Sequence, residues 1–119
     1  MLRVLIVEDD EPTAQAVGEV LELESFEVRR VRNGADAIDV LRGFTPDVVL
    51  VDLQLPVMDG RSFIELYRRR VRPAASVIVM SGRTDARAIA EGVGAEGYVA
   101  KPFESADLLK AISLALAVA

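Results

Sequence analysis

Five side chains that can do chemistry follow directly after apolar runs of this 119-residue sequence. They are Glu8 and Asp9 after VLIV, Asp52 after VVLV, Ser81 after VIVM and Lys101 after YVA. Short apolar runs of this kind are typical of buried strands, so we expect these side chains at strand ends. Carboxylates that meet in one crevice repel each other unless a cation joins them or one stays protonated. Lys101 is one suitable cation, and Mg²⁺, which prefers oxygen ligands, is another.

A carboxylate in such a crevice can react with phosphorus. Asp is a known type of nucleophile, and its attack on a phosphoryl group gives an acyl phosphate. Mg²⁺ and Lys101 would neutralise charge on the phosphoryl oxygens, and Ser81 could donate a hydrogen bond to one of them. Asp52 is the candidate acceptor, because a single carboxylate after four apolar residues requires a partner in the folded protein.

The composition excludes several classes of function. The sequence contains no Cys and no His, which rules out disulfides, thiol chemistry, zinc–thiolate sites and a histidine base. The net charge of −5 gives no general basis for binding nucleic acid. The basic stretch YRRRVRP is expected to lie at a helix C-terminus, where cations are favourable. No apolar run approaches the ~20 residues that span a bilayer, so we expect a soluble, cytoplasmic protein without membrane contact.

Short apolar runs typical of strands alternate along the chain with segments whose apolar residues recur at helical spacing. This alternation predicts five βα units in one domain, residues 1–119. Strands are expected near 2–7, 26–31, 48–51, 77–80 and 98–100, with helices near 12–24, around 37–41, from 60, at 84–92 and from 104. Runs that are apolar on both faces of the pleat indicate an α/β protein with a parallel sheet covered on both faces by helices. Ligands of such sheets bind outside the carboxyl ends of the strands.

Helix ends and one helix surface can also be predicted. Asp10 and Glu11 are expected at the start of the first helix and Asp59 at the cap of the third, with Gly60 as a turn and helix-start residue. In the last helix, the core-facing residues are expected to be Leu108, Leu109, Ile112 and Leu116. A second apolar face with Leu114 and Val118 is either a contact surface, for a homodimer or another partner, or a frayed end.

Four motifs, VLIVEDDEP, VVLVDLQLPVMDG, VIVMSG and YVAKPF, resemble in order and spacing the receiver domain of bacterial two-component response regulators. The resemblance covers essentially the whole chain and includes the chemotaxis regulator. It implies a flavodoxin-like fold with strand order 2-1-3-4-5. It also implies that Asp52 accepts a phosphoryl group from a sensor histidine kinase or a histidine phosphotransfer protein. Such a domain catalyses only its own phosphorylation and dephosphorylation and has no external product.

The resemblance implies a Mg²⁺ site. Asp9 and Asp52 correspond to direct ligands, Glu8 to a ligand that often acts through water, and Gln54 to a ligand through its backbone carbonyl. Gln54 also corresponds to one of two positions that flank the phosphoryl group and tune its lifetime; the other is Arg83. Whether these two side chains shield or orient the attacking water stays open.

Further roles concern the switch. Ser81 corresponds to the switch hydroxyl, Lys101 to the phosphate-binding lysine, and Tyr98 to an aromatic residue that turns inward on activation. The bond before Pro102 corresponds to a cis peptide. Phosphorylation is then expected to alter the face formed by the fourth helix, the fifth strand and the fifth helix, which would bind a downstream protein or effector domain.

Three other functions have to be weighed. A nucleotide-binding domain would carry a glycine-rich G-x-G-x-x-G or G-x-x-x-x-G-K-[ST] motif, and neither occurs. An aspartate-dependent phosphatase usually carries a second Asp two residues after the nucleophile, where this chain has Gln54. A pseudo-receiver, an interaction module that is never phosphorylated, does not need Glu8, Asp9, Asp52, Ser81 and Lys101 together.

Overall fold

Five strands alternate with five helices in the computed structural model, which describes residues 1–117. The strands are β1 (Arg3–Val7), β2 (Glu27–Val31), β3 (Val48–Asp52), β4 (Ser76–Ser81) and β5 (Gly97–Ala100). The helices are α1 (Glu11–Leu23), α2 (Gly34–Val40), α3 (Gly60–Arg70), α4 (Ala86–Gly92) and α5 (Ser105–Ala117). The predicted alternation of strands and helices is therefore confirmed.

The strands form one parallel sheet in the order β2-β1-β3-β4-β5, as predicted. In the register, Val7 of β1 lies opposite Val51 of β3, and Ser81 of β4 lies opposite Ala100 of β5. The carboxyl ends of the inner strands are therefore level. The strand order reverses between β1 and β3, which opens the crevice where such sheets bind ligands.

Alternate residues of each inner strand pack into two separate cores. Leu5 and Val7 belong to the core under α2, α3 and α4, whereas Val4 and Ile6 belong to the core under α1 and α5. All four side chains are fully buried. This two-sided burial explains why the inner strands are continuous apolar runs and not alternating ones.

Side-chain caps begin three of the helices. Asp10, Asn33 and Asp59 each accept a hydrogen bond from the backbone N–H three residues later, at the starts of α1, α2 and α3. The expected roles of Asp10 and Asp59 are confirmed. Helix α4 differs, because it begins at Ala86 and not at Thr84, and the preceding Asp85 makes no capping hydrogen bond.

The prediction for the core face of α5 was partly wrong. Leu108 and Ile112 are buried as expected, but the third buried position is Ala115, and Leu109 and Leu116 are only partly buried. Positions 108, 112 and 115 follow the i, i+4, i+7 spacing of one narrow stripe, which leaves the two leucines on its flanks. Leu114 is 60% exposed, while Val118 lies outside the described residues.

The prediction for the arginines of YRRRVRP holds for three of the four. Arg68, Arg69 and Arg70 lie in the last turn of α3 as predicted, whereas Arg72 follows the end of the helix. The guanidinium of Arg68 also binds both carboxylate oxygens of Glu96 at 2.7 and 2.9 Å. Glu96 in turn accepts the Val77 N–H at 2.7 Å, so this ion pair joins α3 to the sheet.

Within residues 1–117, no helix has both the length and the apolar content that crossing a bilayer would require. The longest helices, α1 and α5, have 13 residues each.

Candidate functional site

The polar side chains expected at the strand ends meet at the carboxyl edge of the sheet. Glu8 follows β1, Asp52 ends β3, Ser81 ends β4 and Lys101 follows β5. The Lys101 ammonium donates a hydrogen bond to Glu8 Oε1 and another, of 2.8 Å, to Asp52 Oδ2. The Lys101–Pro102 peptide bond is cis. One lysine therefore bridges carboxylates that belong to two neighbouring strands.

Both bridged carboxylates are buried, and each of their oxygens accepts a hydrogen bond. Glu8 is 2% exposed, and its second oxygen accepts the Asp10 N–H at 3.1 Å. Asp52 is 8% exposed, and its Oδ1 accepts the Gln54 N–H at 3.1 Å. Buried charges are tolerated when they are paired and when their remaining lone pairs find donors. The folded chain therefore holds these two acids in fixed positions.

The electrostatic effects of burial and pairing oppose each other in this site. Burial raises the pKa of the Glu8 carboxyl, and the hydrogen bonds from Lys101 and the Asp10 N–H offset this only in part. Burial by itself would lower the pKa of Lys101, but its hydrogen bonds to Asp52 and Glu8 outweigh this and raise the pKa above the ordinary value. Lys101 is therefore a permanent cation near neutral pH.

Ser81 offers a hydroxyl beside these groups. The residue is 1% exposed, and its Oγ accepts the Arg83 N–H at 3.1 Å, which leaves the hydroxyl hydrogen free to donate. Its carbonyl oxygen accepts the Lys101 N–H at 3.0 Å and the Tyr98 hydroxyl at 3.4 Å. Tyr98 is partly buried, with the Arg87 guanidinium over its ring at 5.8 Å. Backbone and side-chain bonds thus connect Ser81 to both Lys101 and Tyr98.

Sequence reasoning missed a close contact between Gly60 and the backbone of Asp52. The Gly60 N–H donates to the Leu53 carbonyl at 3.1 Å. A Cβ atom on Gly60 would lie 2.2 Å from the Asp52 carbonyl oxygen and 2.8 Å from Leu53 Cα. The start of α3 therefore packs directly on the end of the strand that carries Asp52. The motif MDG indicates a helix start but contains no signal for this contact.

The acidic groups suit an open metal site better than a closed one. No group of three or more acidic side chains within residues 1–117 is positioned to hold a metal ion. Asp9 is exposed, and Lys101 bridges the other two acids. Mg²⁺ usually keeps several waters and needs only one or two carboxylates. Asp9 and Asp52 offer that donor set, so the residues present fit Mg²⁺.

The guanidinium of Arg83, expected beside the phosphoryl group, is bound by Asp85. Nε and Nη2 of Arg83 lie 2.9 Å from the two oxygens of Asp85. Sequence reasoning did not single out Asp85. The sequence contains little signal for this pair, because both residues lie in the turn before α4. Their spacing of two is not one of the spacings of three or four that bring side chains together on a helix.

Comparison with protein families gives a match over most of the chain. The family model for the response regulator receiver domain matches residues 4–113. The chain is 36% identical over 117 residues to the transcriptional regulatory protein CseB of Streptomyces coelicolor. This match covers 95% of this chain and 48% of CseB. It is 32% identical over 109 residues to the DNA-binding response regulator MtrA of Mycolicibacterium smegmatis, covering 90% of this chain and 47% of MtrA. The chain thus spans about half the length of these relatives.

Solved structures share the fold over nearly the full length. The chemotaxis response regulator CheY4 of Vibrio cholerae superposes with a TM-score of 0.90 at 28% identity, covering 98% of this chain and 99% of CheY4. A response regulator structure from Chloroflexus aurantiacus gives a TM-score of 0.91 at 29% identity, with 98% of each chain covered.

Proposed function

The chain belongs to the response regulator receiver family, and on that premise we propose that Asp52 accepts a phosphoryl group from a phosphohistidine. The donor is a sensor histidine kinase or a histidine phosphotransfer protein. The observation that carries this proposal is the buried Asp52 at the end of a central strand, bridged by Lys101 to Glu8, with Ser81 at the end of the adjacent strand. A module that only bound partners would have no need to bury two carboxylates around one ammonium.

In the transfer step, a carboxylate oxygen of Asp52 attacks the phosphorus. The new O–P bond forms as the P–N bond to the donor imidazole breaks, and the imidazole nitrogen keeps the electron pair. Lys101 already donates to Asp52 Oδ2, so a small shift of its ammonium brings it onto a phosphoryl oxygen. The free hydroxyl hydrogen of Ser81 donates to another phosphoryl oxygen. The domain thus catalyses its own modification and its own slow hydrolysis.

Mg²⁺ is the cofactor of this proposal. Asp9, Asp52 and the backbone carbonyl of Gln54 would hold it, with Glu8 acting through water. When bound, it supplies neutralising charge for the phosphoryl oxygens. Gln54 is exposed beside Asp52, which suits the proposed influence of its side chain on phosphoryl lifetime. Arg83 is the second residue proposed to tune that lifetime.

Phosphorylation is proposed to act on the face formed by α4, β5 and α5. Ser81 connects the site to this face, because its carbonyl accepts hydrogen bonds from Tyr98 in β5 and from Lys101. A groove between β5 and α5 is lined by Tyr98, Phe103, Lys110 and Leu114, among others. When Ser81 moves toward the phosphoryl group, Tyr98 turns inward and reshapes this groove.

We assign this face to a downstream protein or an effector domain. The relatives CseB and MtrA are named as transcriptional and DNA-binding regulators. Direct binding of nucleic acid is not assigned to these 119 residues, whose net charge is −5. The exposed Leu114 fits a hydrophobic contact, with a second copy of the chain as one candidate partner. A cytoplasmic location is part of the same proposal.

Phosphorylation with a small donor tests the assignment. The protein is incubated with acetyl phosphate and Mg²⁺, and its intact mass is measured. We expect a single phosphoryl adduct in the wild type and none in Asp52→Asn. Asp59→Asn is the matched control, because Asp59 lies in the loop after β3 and Asn also caps helices, so this variant should keep the adduct.

Two results would contradict the proposal. An adduct in Asp52→Asn at the wild-type level would place the acceptor elsewhere. A wild type that gains no adduct under any of these conditions would favour the alternative, an unphosphorylated pseudo-receiver.

A further inference from the structure

The Arg83 side chain starts beside the proposed phosphoryl site, and its guanidinium is bound by a neighbouring carboxylate. Its backbone N–H donates to Ser81 Oγ at 3.1 Å, so its backbone adjoins the hydroxyl that would contact the phosphoryl group. Its guanidinium instead forms a bidentate pair with Asp85, with two N–O distances of 2.9 Å. Bidentate, charge-assisted pairs fix the plane and direction of a guanidinium. The position of this cation is therefore set by Asp85.

The Asp85 carboxylate serves Arg83 and not the helix that follows. Asp10, Asn33 and Asp59 have extended backbones and cap their helices. Asp85 precedes α4 with ψ at 4° and makes no capping hydrogen bond. The hydrogen bonds from Arg83 lower the pKa of the Asp85 carboxyl, which keeps it charged at neutral pH. Replacing Asp85 by Asn would therefore remove the pair without removing a helix cap.

The charge balance of the site makes the position of Arg83 important. Glu8, Asp9 and Asp52 carry three negative charges there, against the single positive charge of Lys101. The proposed Mg²⁺ would balance that excess, so the attraction of an anionic phosphodonor to the site depends on any further cation that reaches it. Arg83 is the next cation whose backbone adjoins the site, but Asp85 cancels its charge.

The Arg83–Asp85 pair is exposed enough to be exchanged. The two side chains are 42% and 53% exposed. Ion pairs between exposed groups are weak and are screened by salt, so the guanidinium can leave Asp85 for a stronger anion. A phosphoryl group carries more charge than one carboxylate and accepts the same bidentate geometry.

We propose that Asp85 is a positioning residue that holds the Arg83 guanidinium out of the phosphoryl site and thereby slows the entry of anionic phosphodonors. This inference rests on the proposed function of Asp52. It gives the phosphorylation rate two settings, a slow one with Arg83 bound to Asp85 and a faster one with Arg83 turned toward the site.

A double-mutant cycle with acetyl phosphate tests the inference. In the reaction, Asp52 forms a bond to phosphorus while the bond from phosphorus to the acetate oxygen breaks, and acetate leaves with the electron pair. The rate of adduct formation is measured by intact mass for the wild type, Asp85→Asn, Arg83→Gln and the double variant, in the presence of Mg²⁺. We expect Asp85→Asn to raise the rate about fivefold at low ionic strength, an effect that shrinks as salt is added. In the Arg83→Gln background, the same change should have little effect.

Two further variants separate positioning from charge alone. Asp85→Glu keeps the carboxylate and should return the rate close to that of the wild type. Glu91→Gln removes one negative charge from an exposed position near the far end of α4 and should leave the rate unchanged. Unfolding midpoints of all variants should agree, because none of these exposed side chains caps a helix.

The outcomes distinguish the two levels of the argument. If Asp85→Asn accelerates phosphorylation equally with and without Arg83, Asp85 acts through its charge alone and the positioning role is wrong. An unchanged rate in Asp85→Asn would also overturn it. If the wild type forms no adduct at all, the proposed function of Asp52 fails, and the inference fails with it.

Discussion

Replacing Gly60 by Ala should disturb Asp52 through its backbone, which the start of α3 contacts. Gly60 is the first residue of α3, where alanine is otherwise a favourable residue. The added methyl group would lie 2.2 Å from the Asp52 carbonyl oxygen and 2.9 Å from its carbonyl carbon. Both atoms belong to the backbone of β3, so no side-chain rotation can relieve the clash.

The size of the effect follows from these distances. Carbon–oxygen contacts in proteins normally begin near 3.3 Å, so the helix and the strand must separate by about 1 Å. Overpacking a well-filled interior typically costs about 1–3 kcal/mol. A displacement of about 1 Å in a reacting group can lower a rate about a hundredfold. We therefore expect a loss of stability of about 2 kcal/mol. We also expect the phosphorylation rate of the folded variant to fall by about a hundredfold.

Urea unfolding and the acetyl phosphate reaction measure the two effects separately. Unfolding is followed by far-ultraviolet circular dichroism, because the chain has no Trp. Phosphorylation is then measured by intact mass under conditions in which the variant is fully folded. The urea midpoint should fall, and the folded variant should still react far more slowly than the wild type.

Gly43→Ala is the matched control for this experiment. A Cβ atom at Gly43 has no heavy atom within 4 Å, and its backbone does not require glycine. This variant should keep both the midpoint and the rate. If Gly60→Ala behaves like Gly43→Ala in both assays, the start of α3 does not hold Asp52 in place and the reasoning fails.

Two other predictions concern buried polar groups. Replacing Lys101 by Met leaves Glu8 and Asp52 without their shared cation, so at pH 7 the free energy of unfolding should fall by about 3–5 kcal/mol. Burial raises the pKa of Glu8, so protonation of this carboxyl favours the folded state. The stability deficit of the Met variant should therefore narrow as the pH falls toward 4.5. A deficit that widens in urea titrations at pH 7, 6 and 5 would contradict this. Tyr67→Phe removes the oxygen that accepts the Ala75 N–H at 2.8 Å and should cost about 1 kcal/mol at pH 7. Burial raises the pKa of Tyr67 above 10, so wild-type stability is lost as the pH rises through the pKa of the folded state. The Phe variant should show less of this loss. Parallel curves of stability against pH up to pH 11 would disprove it.

Much of the fold could be predicted from the chain because the signals are local. Apolar runs and helical spacing identified the order of the ten elements, and Asp10 and Asp59 act on backbone groups three residues away. The same strand-end positions predicted that Glu8, Asp52 and Lys101 would share one edge, since parallel strands place their carboxyl ends together. The single domain of 119 residues and the assigned roles of the site residues remain predictions.

The prediction of side-chain contacts was weakest where a long charged side chain has several possible partners of similar chemistry. Arg68 was expected only at a helix end, and its guanidinium binds Glu96, which lies 28 residues later. Arg83 was expected to flank the phosphoryl group, and its guanidinium binds Asp85. Long charged side chains reach several candidates, and the packing of elements decides which one lies at the right distance and angle.

The sequence by itself determined which residues lie on the sheet and which edge carries the acids, because the period of apolar residues is set by local chemistry. Only the tertiary structure decided that Lys101 reaches Glu8 across 93 residues of sequence and that Gly60 packs on Asp52. These contacts depend on the separation of β1, β3 and β5 and on how closely α3 approaches the sheet. Those distances result from the packing of all side chains together, and no single motif contains them.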